Sequence, residues 1–514
     1  MTRTEDLPVL IVGAGPTGLT AAVELARLGV DVRIIDRAPA PSSTSRALGI
    51  QARTLELLRP RGIADDLLSL GNRVRATALH AGGERLGGIE FATMASEFDY
   101  ILMLPQSDTE RLLDERAAAL GVTVERGIEF VGLAQGDDVR VVVRDQDGHS
   151  ETIAASYVIA ADGSHSPVRK ALGLPFEGRS LPQDYVLGDV RLTGDLPDDQ
   201  LSIFLASNGF LAVFPMGSGR FRFMATDPGG ITGDAAEPTL ADVQALYDRT
   251  VEVPARCHDL AWSSRFRINS RHMTTLRAGR VFFGGDAAHV HSPAGGQGMN
   301  AGIQDMINLS WKLAMVLRGR ARPELLDTYG SDRLPVIRQL VAMTERATKA
   351  FNSTNPVVHG LLVRVVPKLL RRNRVQTAAA PRLGQIAASY RGAPLARGGG
   401  RLGALRAGDR VPDLRLPEGR LYDLLDPVSP TLLVDGSADE LRRVCEPWTG
   451  VLPLRSVTLP ATVAAGPAWL LVRPDGYLAA AGGPADADRL AQWLGRWLVP
   501  VGAETAATVA EPAR

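Results

Sequence analysis

The apolar run from Pro8 to Val12 ends on a glycine turn. It shows no alternation, which is the pattern of a strand buried on both faces. A helix is predicted from about Pro16 to Leu28 and a second strand over Asp31 to Ile35, so residues 8–36 read as a βαβ unit. Further helices are predicted near 52–70 and 107–120, the latter opening on Ser107 and Glu110 at the spacing of a capping box. The runs Val139 to Arg144 and Thr152 to Ala161 flank an Asp147-Gly148 turn signal.

The pattern changes over 184–275. Tyr185 to Leu192, Leu201 to Ala206, Gly209 to Met216 and Arg220 to Thr226 read as strands joined by short turns, an antiparallel sheet inserted between two parts of a nucleotide-binding domain. Arg280 to Gly284 is another buried-type strand, followed by a glycine-rich loop and a long helix to about Leu317. Residues 333–375 read as helical. Their stretch LLVRVVPKLLRRNR reads as an amphipathic surface or interface helix in preference to a membrane-surface one. The glycine-rich 396–410 reads as a linker. A compact α/β module follows, with strands at Thr431 to Val434 and Ala468 to Arg473 and a closing helix at 486–498.

Composition narrows the class. The 514 residues suggest about three domains. Basic and acidic residues balance at 57 each, which argues against a general nucleic-acid binder. The two cysteines, Cys257 and Cys445, form no CxxC, metal-ligand spacing or disulfide framework, which fits a reducing cytoplasm. No signal peptide, membrane span, membrane partner or metal is expected.

The chemistry sits in three glycine-rich motifs. In Gly13-Ala14-Gly15-Pro16-Thr17-Gly18 the first glycine permits a tight turn, the second admits a pyrophosphate and the third allows close helix–strand packing. Asp36 ends the second strand, where a carboxylate can hold ribose hydroxyls. This motif alone does not separate FAD from NAD. Asp162-Gly163 and Gly285-Asp286 each close a buried-type strand, suiting further contacts along one extended cofactor. In the loop 293–302 backbone N–H groups and a helix dipole would stabilise the negative charge of a reduced flavin.

GAGPTG, AADGSHSPVR and GGDAAHVHSPAGGQGMN, in this order, resemble the single-component FAD-dependent aromatic hydroxylases. These include para-hydroxybenzoate hydroxylase, phenol hydroxylase and the polyketide-tailoring hydroxylases. The resemblance covers roughly 7–375, and the C-terminal module resembles the thioredoxin-like domain of the latter two branches. It implies an α/β fold in four segments. These are 1–183 and 276–395 for FAD, 184–275 as a substrate-binding sheet domain, and 396–514 as a thioredoxin-like domain without CxxC that is structural or supports a homodimer.

The resemblance also implies residue roles. Asp36 and Arg37 would hold the adenosine, Arg46 and Gln106 the pyrophosphate and ribityl region, and Asp286 the ribityl chain. Pro293 would lie beside the flavin ring, with Gly298, Met299 and Asn300 at its pyrimidine edge and Asp162-Gly163 near flavin and nicotinamide. The implied reaction uses transient NADH or NADPH and O2 to hydroxylate a phenolic, polycyclic polyketide-like substrate through a flavin C4a-hydroperoxide. A Baeyer–Villiger outcome, a drug-inactivating hydroxylation and a non-catalytic FAD- or ligand-binding protein are the competing readings.

The base for the phenol is open among His289, His291 and His272. Phe204, Phe210, Phe214, Phe221 and Phe223 are the candidate aromatic lining, with about half of them core. Arg220 and Arg222 read as exposed strand charge.

Overall fold

The computed structural model describes residues 7–42, 47–206, 209–227, 237–293, 295–437 and 439–502. They form two compact units. The larger holds residues up to 26, 31–307 and 334–388. The smaller holds 27–30, 308–333 and everything from 389 onward.

The larger unit contains a six-stranded sheet in the order Arg277–Ala278, Val281–Phe283, Tyr157–Ala160, Val9–Val12, Val32–Asp36, Val124–Arg126. The strand 9–12 pairs parallel with both 157–160 and 32–36. The strand 281–283 pairs parallel with 157–160. The three strands VLIV, YVIA and VFF are buried at every position. Being adjacent and parallel, they end on the same side, so their following loops (Gly13, Ala161–Gly163 and Gly284–Asp286) meet there. The run 152–161 is not one strand. Ser150–Ala155 pairs with Val139–Arg144 in a small antiparallel sheet, while Tyr157–Ala160 joins the parallel one. The helix Gln106–Ala119 starts one residue earlier than predicted, after Pro105, and no side chain caps it.

A second, eight-stranded sheet has the order His289–Val290, Ala255–His272, Glu177–Gly194, Arg220–Asp227, Gly209–Gly217, Gln200–Ala206, Ala76–Ala81, Glu84–Glu90. It draws two strands from 76–90 that lie outside 184–275, because Gln200–Ala206 pairs parallel with Ala76–Ala81. Parallel pairing of distant segments leaves no local sequence signature. The period-2 alternation of these strands separates two clusters. Val186, Val190, Phe204, Leu211, Val213, Phe221, Phe223 and Ala225 pack with the helix Leu240–Thr250. Tyr185, Leu187, Leu205, Phe210, Ala212 and Met224 form a separate cluster.

In the smaller unit a four-stranded sheet runs Leu454–Ser456, Thr431–Asp435, Ala468–Val472, Leu478–Gly482. The first pair is parallel and the others antiparallel, with helices Asp439–Cys445 and Ala487–Trp497, the arrangement of a thioredoxin-type core. Alternate residues again face two clusters: Leu432, Val434, Trp469 and Leu471 in one, Leu433, Leu470 and Val472 in the other. Cys445 is buried and free. Buried in this unit, Arg473 pairs with Asp332 and Asp475, and Lys312 Nζ lies 2.8 Å from Asp332. Burial pushes the Lys312 ammonium down to about 8, with Asp332 pulling the other way.

Candidate active site

The three loops converge on a cavity of about 370 Å³. Gly15, Pro16, Thr17, Ala161, Gly163 and Asp286 form one part of its wall, and Pro293 and 295–299 another. The sheet supplies Leu187, Leu201, Phe214, Arg222 and Met224, and the small sheet around Gly49–Ile50 adds Ile101 and Met103.

The glycine motif divides as its chemistry requires. Gly13 has φ +105°, and a Cβ there would collide with the Ala161 carbonyl. A Cβ on Gly18 would collide with the Gly13 carbonyl. Gly15 faces open space within 4 Å, so its backbone is accessible at the start of the helix Pro16–Arg27. Asp36 ties the turn, accepting from Ala14 N–H at 2.6 Å and from Ala38 N–H at 2.8 Å. An open backbone beside a helix N-terminus, with a carboxylate at the next strand end, fits a dinucleotide. A second cavity, of about 460 Å³, lies at Ala14, Pro41, Ser107, Glu110 and Arg126. Burial raises the Glu110 carboxyl above its ordinary range, while its Oε1 accepts from Gln106 Nε2 at 2.7 Å. Gln106 lines the first cavity, and its Oε1 accepts from Ala47 N–H at 3.2 Å. Arg37 is exposed and lines neither cavity. Arg46 lies outside the described residues.

Desolvation raises the Asp162 carboxyl above its ordinary range. Its Oδ2 accepts from Val168 N–H at 3.1 Å, and its Oδ1 has no partner. Gly285 N–H donates to Asp305 at 3.1 Å, while Asp286 is exposed on the cavity wall.

The loop at 293–300 is cross-braced. Asn300 Nδ2 donates to the Gly49 and Gly296 carbonyls, both at 2.8 Å, and its Oδ1 accepts from Gln51 N–H at 2.8 Å. Gln51 Nε2 donates to Gly295 O at 2.7 Å. The Asn300 side chain is therefore a brace within the wall and fully buried. The helix Gly298–Leu317 closes its first backbone bond from Ala301 N–H to Gln297 O. Among the described residues, the N–H groups of Gly298, Met299 and Asn300 meet no backbone acceptor. Gly298 and Met299 line the cavity, so this helix presents its positive end there.

The three histidines have different surroundings. His289 is buried, with Nε2 2.7 Å from Asp305. His272 Nδ1 lies 3.0 Å from the Met273 carbonyl and is not on the cavity wall. His291 is on the wall. Burial pushes it down to about 4, against the opposing Ser292 carbonyl, so the ring is neutral at neutral pH. A carbonyl only accepts, and Ser292 O lies 2.8 Å from Nδ1, so the proton sits on Nδ1. The partnerless Nε2 is then an acceptor.

The aromatic lining divides by strand parity. Phe214 is on the wall, whereas Phe204, Phe221 and Phe223 pack against the helix Leu240–Thr250 on the opposite face. Phe210 packs with Phe351, ring centroids 5.7 Å apart. Arg222 overturns its reading as exposed charge. It is 2% exposed, lines the cavity, and grips Asp189 through two hydrogen bonds of 2.6 and 2.7 Å. Its guanidinium lies 5.5 Å from the Trp262 ring centre. The clue was Met224, an apolar residue at the same parity as Arg222, which marks that second face of the strand as covered too.

Known proteins match this chain over most of its length. Residues 6–344 match the FAD binding domain family, and 405–500 match the aromatic-ring hydroxylase C-terminal family. The chain is 39% identical to 6-methylpretetramide 4-monooxygenase of Streptomyces rimosus, covering 92% of this chain and 90% of that one. It is 33% identical to pentachlorophenol 4-monooxygenase of Sphingobium chlorophenolicum, covering 96% and 90%. An anhydrotetracycline hydroxylase structure from Streptomyces rimosus superposes with TM-score 0.80 at 32% identity, over 96% of this chain and 99% of that one. With its three glycine loops, its cavity and these relatives, the chain belongs to the FAD-dependent aromatic-ring hydroxylases, flavoprotein monooxygenases that use NAD(P)H and O2.

Proposed function

We propose that this enzyme hydroxylates an uncharged polycyclic phenol of the aromatic polyketide type. The observation that carries the reading is the cavity. Its lining offers unclaimed backbone N–H groups at a helix N-terminus together with an apolar part made by Leu187, Leu201, Phe214 and Met224. The relatives named for 6-methylpretetramide and anhydrotetracycline support a fused-ring substrate.

Bound FAD would supply the hydride acceptor and, once reduced, the centre that activates O2. Gly15, Pro16 and Thr17 would hold its pyrophosphate, Asp36 and Arg37 the adenosine, and Gln106 and Asp286 the ribityl region. The N–H groups of Gly298, Met299 and Asn300 would stabilise negative charge at the pyrimidine edge, with Pro293 beside the ring and Asp162-Gly163 near the nicotinamide. The Asn300 side chain holds the loop that aims those groups. His291 Nε2 accepts a hydrogen bond from the substrate hydroxyl, raising electron density on the ring to be attacked. Arg222, its charge balanced by Asp189, orients substrate oxygen without demanding a carboxylate. The apolar wall excludes bulk water from the reacting atoms. We further assign the enzyme to the cytoplasm, with the C-terminal unit as a surface for homodimer formation.

The test is anaerobic reduction of the holoenzyme by NADH and NADPH across a panel of phenols, followed by aerobic product analysis. Reduction accelerated by uncharged polycyclic phenols, with a hydroxylated product, is the expected result. Acceleration by small carboxylated phenols alone, or a lactone product, would overturn it.

A further inference from the structure

Between Glu345 and Asp409 the chain has no aspartate or glutamate, although its overall charge is balanced. Within that stretch lie the helices Pro356–Arg364 and Val366–Leu370, joined by Val365, itself in the right-handed helical region. Val357, Leu361, Val365 and Leu369 recur every four residues and so form one stripe along the helical face. They are 70, 49, 41 and 40% exposed, and they make up four of the seven exposed large hydrophobics found among the described residues.

Beside the stripe, Arg364, Lys368, Arg371, Arg372 and Arg374 are all exposed. None of the five has an acidic partner among the described residues. This contrasts with surface arginines elsewhere, such as Arg33 with Glu125 and Glu151, or Arg391 with Asp409. Glu90, on the neighbouring strand Glu84–Glu90, lies 3.6 Å from Arg85 and does not offset them.

We propose that this face seats the enzyme on an anionic lipid surface. Aliphatic side chains projecting from a helix, flanked by unpaired cations, are what an interfacial helix presents to headgroups and acyl chains. A second copy of the chain fits less well, since two-fold pairing would set the five cations against their own duplicates. A protein partner would call for aromatic anchors, and the stripe has none. The buried side of the same helices gives the seat a purpose. Leu362 packs on the cluster containing Leu187 and Met224, which also line the active-site cavity. A lipophilic substrate dissolved in the bilayer would thus lie one packed layer from the cavity wall, a consequence that rests on the substrate class proposed above. The contact proposed is peripheral and involves no span. Among the described residues, no helix is long and apolar enough to cross a membrane.

The experiment is flotation of the holoenzyme with phosphatidylcholine vesicles, with and without phosphatidylglycerol. Binding should require phosphatidylglycerol and weaken steeply with salt. Two variants, Leu361→Asp with Leu369→Asp, and Arg364→Glu with Lys368→Glu and Arg371→Glu, should each lower the partition coefficient about tenfold or more. FAD content and turnover of a soluble phenol should stay unchanged in both, which separates this test from that of the catalytic reading. Three results would overturn the proposal. One is no flotation at low salt, and another is flotation untouched by either variant. The third is vesicle-independent self-association that Leu361→Asp abolishes, which would assign the face to a second copy.

Discussion

The two faces of the eight-stranded sheet are built from the same strands and much the same residue types, yet they do different work. On one face Phe221 and Phe223 meet the helix Leu240–Thr250, with Phe223 stacked on Tyr247 at 5.5 Å between ring centres. On the other, Arg222 and Met224, one residue along from each, look into the cavity. The first face is closed by a packed helix and so serves stability. The second is covered by Phe351 and Leu362 over part of its area and opens on the cavity at Leu187, Arg222 and Met224, and it tolerates a buried cation because Asp189 on the adjacent strand holds it with two hydrogen bonds. Parity within one strand, rather than residue type, decides which side chains see substrate.

The largest effect that would test this contrast is Phe223→Ala. It should cost about 3–5 kcal/mol in denaturant unfolding, since the ring is 2% exposed in a helix-covered core, while the folded fraction keeps its substrate response. A loss of substrate response without loss of stability would break the assignment of that face.

Asp189→Asn comes next. It leaves the Arg222 guanidinium buried without its counter-charge, and should cost roughly 3 kcal/mol. Unlike Phe223→Ala, it should also disturb substrate-stimulated flavin reduction.

Lowering the pH tests the open face further. His291 titrates near 4 in the folded chain, below its ordinary unfolded value, so between those two values the unfolded chain binds the extra proton. Its stabilising contribution is full above about pH 6.5 and falls away as pH drops toward 4, by about 2 kcal/mol after allowance for water in the cavity. Thermal melts of His291→Asn should lack that slope.

The smallest expected effect on stability is that of Phe214→Ala. It should move the melting temperature by only a few degrees yet raise KM about tenfold, or about 1.4 kcal/mol.

By itself the sequence determined the nucleotide-binding half of this protein. Buried strands without alternation, glycines at fixed spacing and strand-end carboxylates are local signals, because backbone sterics and helix-terminus electrostatics act over a few residues. Gly13, Gly15 and Gly18 could therefore be given separate duties before any fold was known, and the structure shows the corresponding geometry. The thioredoxin-type module was legible as strand, turn and helix signals in the same way.

What only the tertiary structure decided depends on distant segments meeting. The pairing of Gln200–Ala206 with Ala76–Ala81 enlarged the substrate sheet. The helix Leu240–Thr250 covered one face of it and so turned Phe204, Phe221 and Phe223 into core. Arg222 became a cavity residue because Asp189 lies across from it, and Gln51 became a brace because Gly295 and Asn300 fold back upon it. Alternation along a strand tells which residues share a face. Which face is covered and which stays open is set by packing partners far away in the chain, and no local pattern encodes them.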